Sequence, residues 1–219
     1  MSAPEPTSAA ERTSAPEPVS AREPVSAPEM RLASCPADIV ELAALSGQAG
    51  ELDGIARVHG RQLPPLGRIA PGRGALGADH LALCVRPQRW LLLGAPAAPG
   101  ANAAHWQAAC AGAGAAVDLS SALVVLHLGG GARELLVRGC RLDLSVDAFP
   151  PGNAAATLMV QVSVIIAALP SGMLLLTPAS TAMHLREWIS CTARGLGALK
   201  SLESSLAELA VAEPTGDPR

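Results

Sequence analysis

The residues of this chain whose types could do chemistry are few, and their spacing is loose. Asp118 precedes Ser120 and Ser121, a carboxylate followed by hydroxyls. At that distance local bonds to backbone N–H groups are as good a use as acid–base work. Asp143 and Asp147 make a carboxylate pair. Acid–base catalysis would require one of them to be desolvated beside a second group, and nothing in the sequence supplies one. His127 sits inside an apolar run at 122–128, where a core or edge histidine is expected. His184 has Glu187 three residues on, a spacing of surface electrostatics on a helix. Gly129, Gly130 and Gly131 precede a helical segment and could offer N–H groups to a phosphate. The dinucleotide spacing is absent, so a tight turn is the expected role. Arg57, Arg61, Arg68 and Arg73 lie with His59 in a glycine-rich stretch. They read as solvated arginines of a loop, with a contact surface for a partner or an anionic ligand as the alternative. No HExxH, nucleophile elbow, Walker A or zinc-ligand spacing is present. The sequence therefore assigns no catalytic, cofactor-binding or metal-ligating residue.

Composition narrows the class. The chain has 219 residues, 49% of them hydrophobic and only 2% aromatic. A core built of Leu, Val, Ile and Ala is expected, with few aromatic platforms for bases or cofactor rings. A net charge of −3 argues against broad nucleic-acid binding. Five cysteines at 35, 84, 110, 140 and 191 form no C-x-x-C and no cluster with histidine. Reduced, mostly buried thiols in a cytoplasmic protein are expected, and Cys110 and Cys140 read as packing residues. No secretory signal pattern opens the chain. The most apolar stretch, 160–176, is broken by Pro170-Ser171-Gly172, which suits two strands and a turn better than a membrane span.

The elements that must position these residues follow from periodicity. Residues 1–36 read as a disordered tail rich in Pro, Ala, Ser and Glu, with the repeats SAPEP and EPVSA. Folded sequence is expected from Ala37, where Asp38 and Glu41 resemble a capping box before the apolar run 39–45. Residues 47–79 read as loop or irregular strand. Runs at 81–85 and 90–93 predict a hairpin. Trp106, Ala109, Cys110 and Ala113 share one face of a helix over 103–113. A strand at 122–128 leads through the glycines into a helix over 132–138, with Gly139 expected to be left-handed at its end. An extended segment, a hairpin (158–168 and 172–177) and a helix capped by Ser180 or Thr181 come next. A last helix over 198–212 would set Leu199, Leu202, Leu206 and Leu209 on a stripe able to dock on this domain or another chain. The order predicts an α+β fold: a mostly antiparallel sheet with a ferredoxin-like split βαβ core.

Beyond these physical readings, the chain carries a resemblance. Asp118-Leu119-Ser120, the ALVVLHLGGGARELL run, and the signature residues Gly139, Cys140, Asp143, Leu144, Phe149 and Gly152 stand in sequence. With the Gln161-Val162 strand and the Trp188 helix, they resemble the gamma subunit of heterotetrameric sarcosine oxidase over about 80–195. Where that family has an Arg-Ser-Phe-Ala-like element, this chain has Pro178-Ala179-Ser180-Thr181-Ala182. The resemblance implies a shortened relative of the folate-binding aminomethyltransferase fold, spanning 37–197, followed by a C-terminal helix and tail at 198–219. It also implies an accessory, non-catalytic subunit partnered by alpha, beta and delta chains. FAD, FMN, NAD and tetrahydrofolate are then expected in the partner subunits, none in this chain. The complex would oxidatively demethylate sarcosine to glycine with one-carbon transfer to tetrahydrofolate. Two alternatives stand beside it. One is the gamma subunit of a related N-methyl amino acid or betaine demethylase. The other is a free-standing folate-dependent one-carbon protein, for which Asp118 or Asp143 would be the carboxylates to suspect.

Overall fold

The computed structural model describes residues 30–73, 79–196 and 199–203. Among these residues, eleven strands and four helices are arranged as two sheets with helices on their outer faces. The first sheet is built from β2 (Asp38–Ala44), β3 (Arg68–Arg73), β4 (Asp79–Arg86), β5 (Arg89–Gly94) and β6 (Gly114–Asp118), in the order β3-β4-β5-β2-β6. The second holds β1 (Met30–Ser34), β7 (Leu123–Gly129), β8 (Ala154–Met159), β9 (Val162–Leu169), β10 (Gly172–Pro178) and β11 (Leu199–Glu203), in the order β11-β1-β7-β10-β9-β8. All pairings are antiparallel except β1 with β11.

Period-2 alternation sends successive side chains to opposite faces, and each sheet is apolar on both. Leu81, Leu83, Leu91 and Leu93 of one sheet meet Val125, Ala167, Leu174 and Leu176 of the other between the sheets. Leu126, Leu128, Ile166, Met173 and Leu175 point the other way, against α3 (Ala132–Leu136) and α4 (Ala179–Arg194) through Leu135, Leu136, Leu185 and Ile189. On the opposite outer face, Val40, Leu42, Ala82 and Leu92 pack on α1 (Ala49–Val58) and α2 (Ala101–Ala109) through Leu52, Ala56 and Trp106. The result is a four-layer α/β/β/α sandwich with three apolar seams.

The topology is a repeated unit. β1, β2, α1, β3, β4, β5 and α2 follow the same plan as β6, β7, α3, β8, β9, β10 and α4. In each unit the second strand is flanked by the fifth, which continues the order to the fourth and third. The opening strands are exchanged: β1 lies beside β7 in the second sheet, and β6 lies beside β2 in the first. The split βαβ expected from the sequence is realised at β5-α2-β6, where β2 lies between two parallel strands.

Several elements differ from the sequence expectation, each for a local reason. Strand structure already begins at Met30, because Met30 and Leu32 are buried against β7 and the second sheet's outer core. Asp38 opens a strand instead of capping a helix; its carboxylate has a tertiary partner, described below. Within 47–79 there is a helix, α1, which holds Gly50 and Gly54 yet buries Leu52 and Ala56, and an edge strand, β3. The segment 158–168 is divided by a two-residue turn at Val160 and Gln161, with φ of 46° and 68°. Two left-handed residues match the twist of a tight hairpin. Helix α4 starts after Pro178 without a side-chain cap, and Thr181 donates back to the Pro178 carbonyl. Residues 199–203 form β11, parallel to β1, where a helix was expected; Leu206 and Leu209 lie outside the described residues, as does the segment 1–29. Gly139 has no positive φ. A Cβ there would lie 2.6 Å from Trp188 Cζ2, so its glycine is required by close packing of the indole.

Candidate functional site

The strand exchange forces two short connectors, Cys35-Pro36-Ala37 and 119–122, to cross side by side. They are held by reciprocal backbone bonds: Cys35 N–H donates to Val125 O at 3.0 Å, and Leu119 N–H to Ile39 O at 2.8 Å. Around the crossing gather the polar groups of the first sheet's end. Asp38 is 8% exposed. Its Oδ1 accepts the Ser120 hydroxyl at 2.6 Å, and its Oδ2 accepts the Asn102 amide from the first turn of α2. Ser120 Oγ in turn accepts the Ile39 N–H at 3.0 Å. Asp118 is exposed, and its Oδ1 accepts the Ser120 N–H at 2.9 Å. The backbone N–H groups of Ser120 and Gly100 hold its carboxyl below the usual range, the Ser120 hydroxyl being committed to Asp38. Ser120 has one hydroxyl proton, and the short contact places it on Asp38.

A hollow of about 270 Å³ opens beside this crossing, walled by Ser34, Cys35, Pro36, Ser120 and Val124 among others. Of its wall, the Ser120 hydroxyl is used internally. Both oxygens of Asp38 and the hydroxyl of Ser120 tie α2, β2 and the second connector together. Chemically this is a latch on the crossover, and the element Asp118-Leu119-Ser120 contributes its local half. Asp38 was not legible as the partner of Asn102 and Ser120, because those contacts span 64 and 82 positions in sequence.

A second polar constellation lies at the far end of β7. His127 is 7% exposed, and its Nε2 is 3.2 Å from Ser171 Oγ in the β9–β10 turn. Burial pushes its pKa down to about 4, so the ring is neutral at ordinary pH. The expected core or edge histidine is what the strand presents. Beside it is a broader hollow of about 520 Å³, with Gly130, Gly131, Arg133 and Ser171 in its wall. Of the three glycines, Gly130 has a positive φ of 68°, as the tight turn requires. Arg133 directs Nη1 at the carbonyls of Leu144 and Ser145, fastening the signature segment to α3. Asp143 accepts the Ser145 N–H at 2.9 Å, which holds its carboxyl below the usual range. Asp143 and Asp147 are both exposed.

Among the described arginines of 57–73, Arg57 and Arg68 have separate partners. Arg57 pairs with Asp53 at 2.7 Å on α1, and Arg68 donates to Asn153 at the foot of β8. Arg61 is largely buried, and desolvation lowers its pKa to about 10. The side chain of Arg73 lies outside the described residues. His184 and Glu187 are exposed on α4. Cys35, Cys84, Cys110 and Cys140 are buried and outside any disulfide, and Cys191 is exposed. Burial raises the Cys84 and Cys110 pKa values, in keeping with packing roles.

No protein-family model matches the sequence, and no curated protein matches it. Solved structures do. A chain of the heterotetrameric sarcosine oxidase from Corynebacterium sp. U-96, solved in complex with pyrrole 2-carboxylate, superposes with a TM-score of 0.64 at 22% identity. The match covers 77% of this chain and 86% of that one. The glycine cleavage system aminomethyltransferase T from Bartonella henselae superposes with a TM-score of 0.59 at 14% identity. It covers 84% of this chain but 50% of that one, so this chain spans half the aminomethyltransferase's length. Among the described residues no helix is long and apolar enough to cross a membrane. The chain thus has the α+β fold expected of it, the fold of the glycine-cleavage aminomethyltransferase and of a sarcosine oxidase chain.

Proposed function

We propose that this chain is an accessory, gamma-type subunit of a heterotetrameric sarcosine oxidase. One observation carries the reading. The match to a chain of such an oxidase covers 77% of this chain and 86% of that one, so the two are of similar length. The match to the aminomethyltransferase takes only half of that enzyme, which does not favour a free-standing folate protein. The two carboxylates suspected for a folate protein are exposed and used locally, Asp118 accepting the Ser120 N–H and Asp143 the Ser145 N–H, which supports the same reading. In this reading alpha, beta and delta chains complete a cytoplasmic complex, with FAD, FMN, NAD and tetrahydrofolate held by the alpha and beta chains. The demethylation of sarcosine and the one-carbon transfer then take place on those partners. A related N-methyl amino acid or betaine demethylase would use the same architecture.

Affinity purification of the tagged full-length chain from its host tests this. The expected result is co-purification of larger, flavin-coloured chains in fixed ratio, with sarcosine-dependent hydrogen peroxide release. A monomer that brings down no flavoprotein overturns the subunit reading. Titration of the isolated chain with tetrahydrofolate is expected to show no saturable binding. Binding there would instead support the free-standing one-carbon protein.

A further inference from the structure

His59 and His105 are 46 positions apart, and neither the loop reading of 47–79 nor the helix reading of 103–113 connects them. The fold does. His59 is the residue that ends α1, and His105 lies on α2, the neighbouring helix on the same face of the first sheet. His105 Nε2 is 3.2 Å from His59 Nδ1. The two rings are nearly perpendicular, at 83° with centroids 4.8 Å apart. Both rest on the edge of Trp106, whose ring centroid is 5.4 Å from His59 and 5.7 Å from His105. Trp106 itself is buried among the residues under α1 and α2.

We propose that His59 and His105 form a two-nitrogen site for a divalent transition-metal ion of the copper, nickel or zinc type. Metal–imidazole bonds of about 2.0–2.1 Å meeting at a tetrahedral angle place their nitrogens roughly 3.3 Å apart. The observed separation already has that value, so the rings need no large movement to close on an ion. In the metal-free pair one nitrogen carries the shared proton and the other accepts it. Binding requires both facing nitrogens to be bare, which neutral imidazoles achieve by moving that proton to the distal ring nitrogen, with no net release. The site is reachable, because His105 is exposed and His59 only half-buried. The C-terminal end of α1 adds a favourable field for a cation. Its nearest charged neighbour on the helix, Arg57, is engaged by Asp53. With two protein nitrogens the ion keeps further positions for water, and imidazole donors place copper(II) ahead of nickel and zinc.

Trp106 provides a built-in reporter, since a paramagnetic ion beside its ring quenches its emission. The untagged full-length chain titrated with copper(II) near pH 7.5 is expected to show saturable fluorescence quenching. Zinc should compete and restore the emission. His59→Gln and His105→Gln, both at positions outside the packed core, should each lose the saturable phase while keeping the circular dichroism spectrum of the parent. Unchanged quenching in either variant, or linear quenching with no saturation in the parent, overturns the site. The outcome is independent of the subunit reading, which rests on co-purification.

Discussion

Gly139 shows how a single residue type can be demanded by a neighbour's bulk. The indole of Trp188 lies where a Cβ would stand, at 2.6 and 2.7 Å from two ring carbons. Gly139→Ala is therefore expected to destabilise the fold by about 1–3 kcal/mol, as overpacking does. Adding Trp188→Leu should recover part of that loss, which paired urea titrations would show as strong non-additivity. Asp38 is held by two donors, and removing it strands both of them. Asp38→Ala should cost about 1–3 kcal/mol, with Asp38→Asn less severe, by the same denaturation measurement. His127 makes a pH prediction. Its folded pKa of about 4 lies below the ordinary 6.5, so the unfolded chain binds more protons between those values. Stability is then full above pH 6.5 and falls as pH drops through the window, levelling near 4. The total is roughly 3 kcal/mol. His127→Gln should flatten that limb in unfolding curves recorded across the window; an unaltered slope counts against the assignment.

Among the elements, β1 matters more than its place beside a low-complexity segment suggests. Met30 and Leu32 are each 2% exposed, and the strand lies beside β7 in antiparallel register. Leu32→Ala is expected to cost about 2–5 kcal/mol, as for other buried leucines, read from a shifted denaturation midpoint. The elements that sequence periodicity revealed are those with an unbroken local pattern: the β4–β5 hairpin, the Leu-Val run of β7, and the Trp106–Cys110 face of α2. Those it concealed have their cause elsewhere in the chain. Gly50 and Gly54 weaken the helical signal of α1, yet Leu52 and Ala56 are pinned on the sheet. Asp38 and Glu41 imitate a helix cap because their true partners, Ser120 and Arg89, are remote in sequence. Leu199 and Leu202 have helical spacing, but β1 offers an open edge and they join it as strand. For the same reason the crossover latch was half legible. Asp118 and Ser120 are neighbours, whereas Asp38 and Asn102 arrive through topology.

For the molecule as a whole, the seam between the sheets joins the two units face to face, and each unit holds the other's opening strand. Neither half has a complete sheet alone. A single cooperative transition is the expected outcome, with coincident midpoints from Trp106 in the first unit and Trp188 in the second. Single-tryptophan variants followed by fluorescence would test it, and two separated midpoints would show independent halves. The exchange also sets a schedule for synthesis. When β1 leaves the ribosome its partner does not yet exist: Leu32 pairs with Leu128, most of the domain later. The first sheet likewise waits for β6 beside β2. An apolar strand edge is thus open during a long stretch of translation, a state that invites pairing with the wrong chain. A nascent chain halted between β5 and β6 should therefore be held by chaperones, whereas one released after β10 should close both sheets at once.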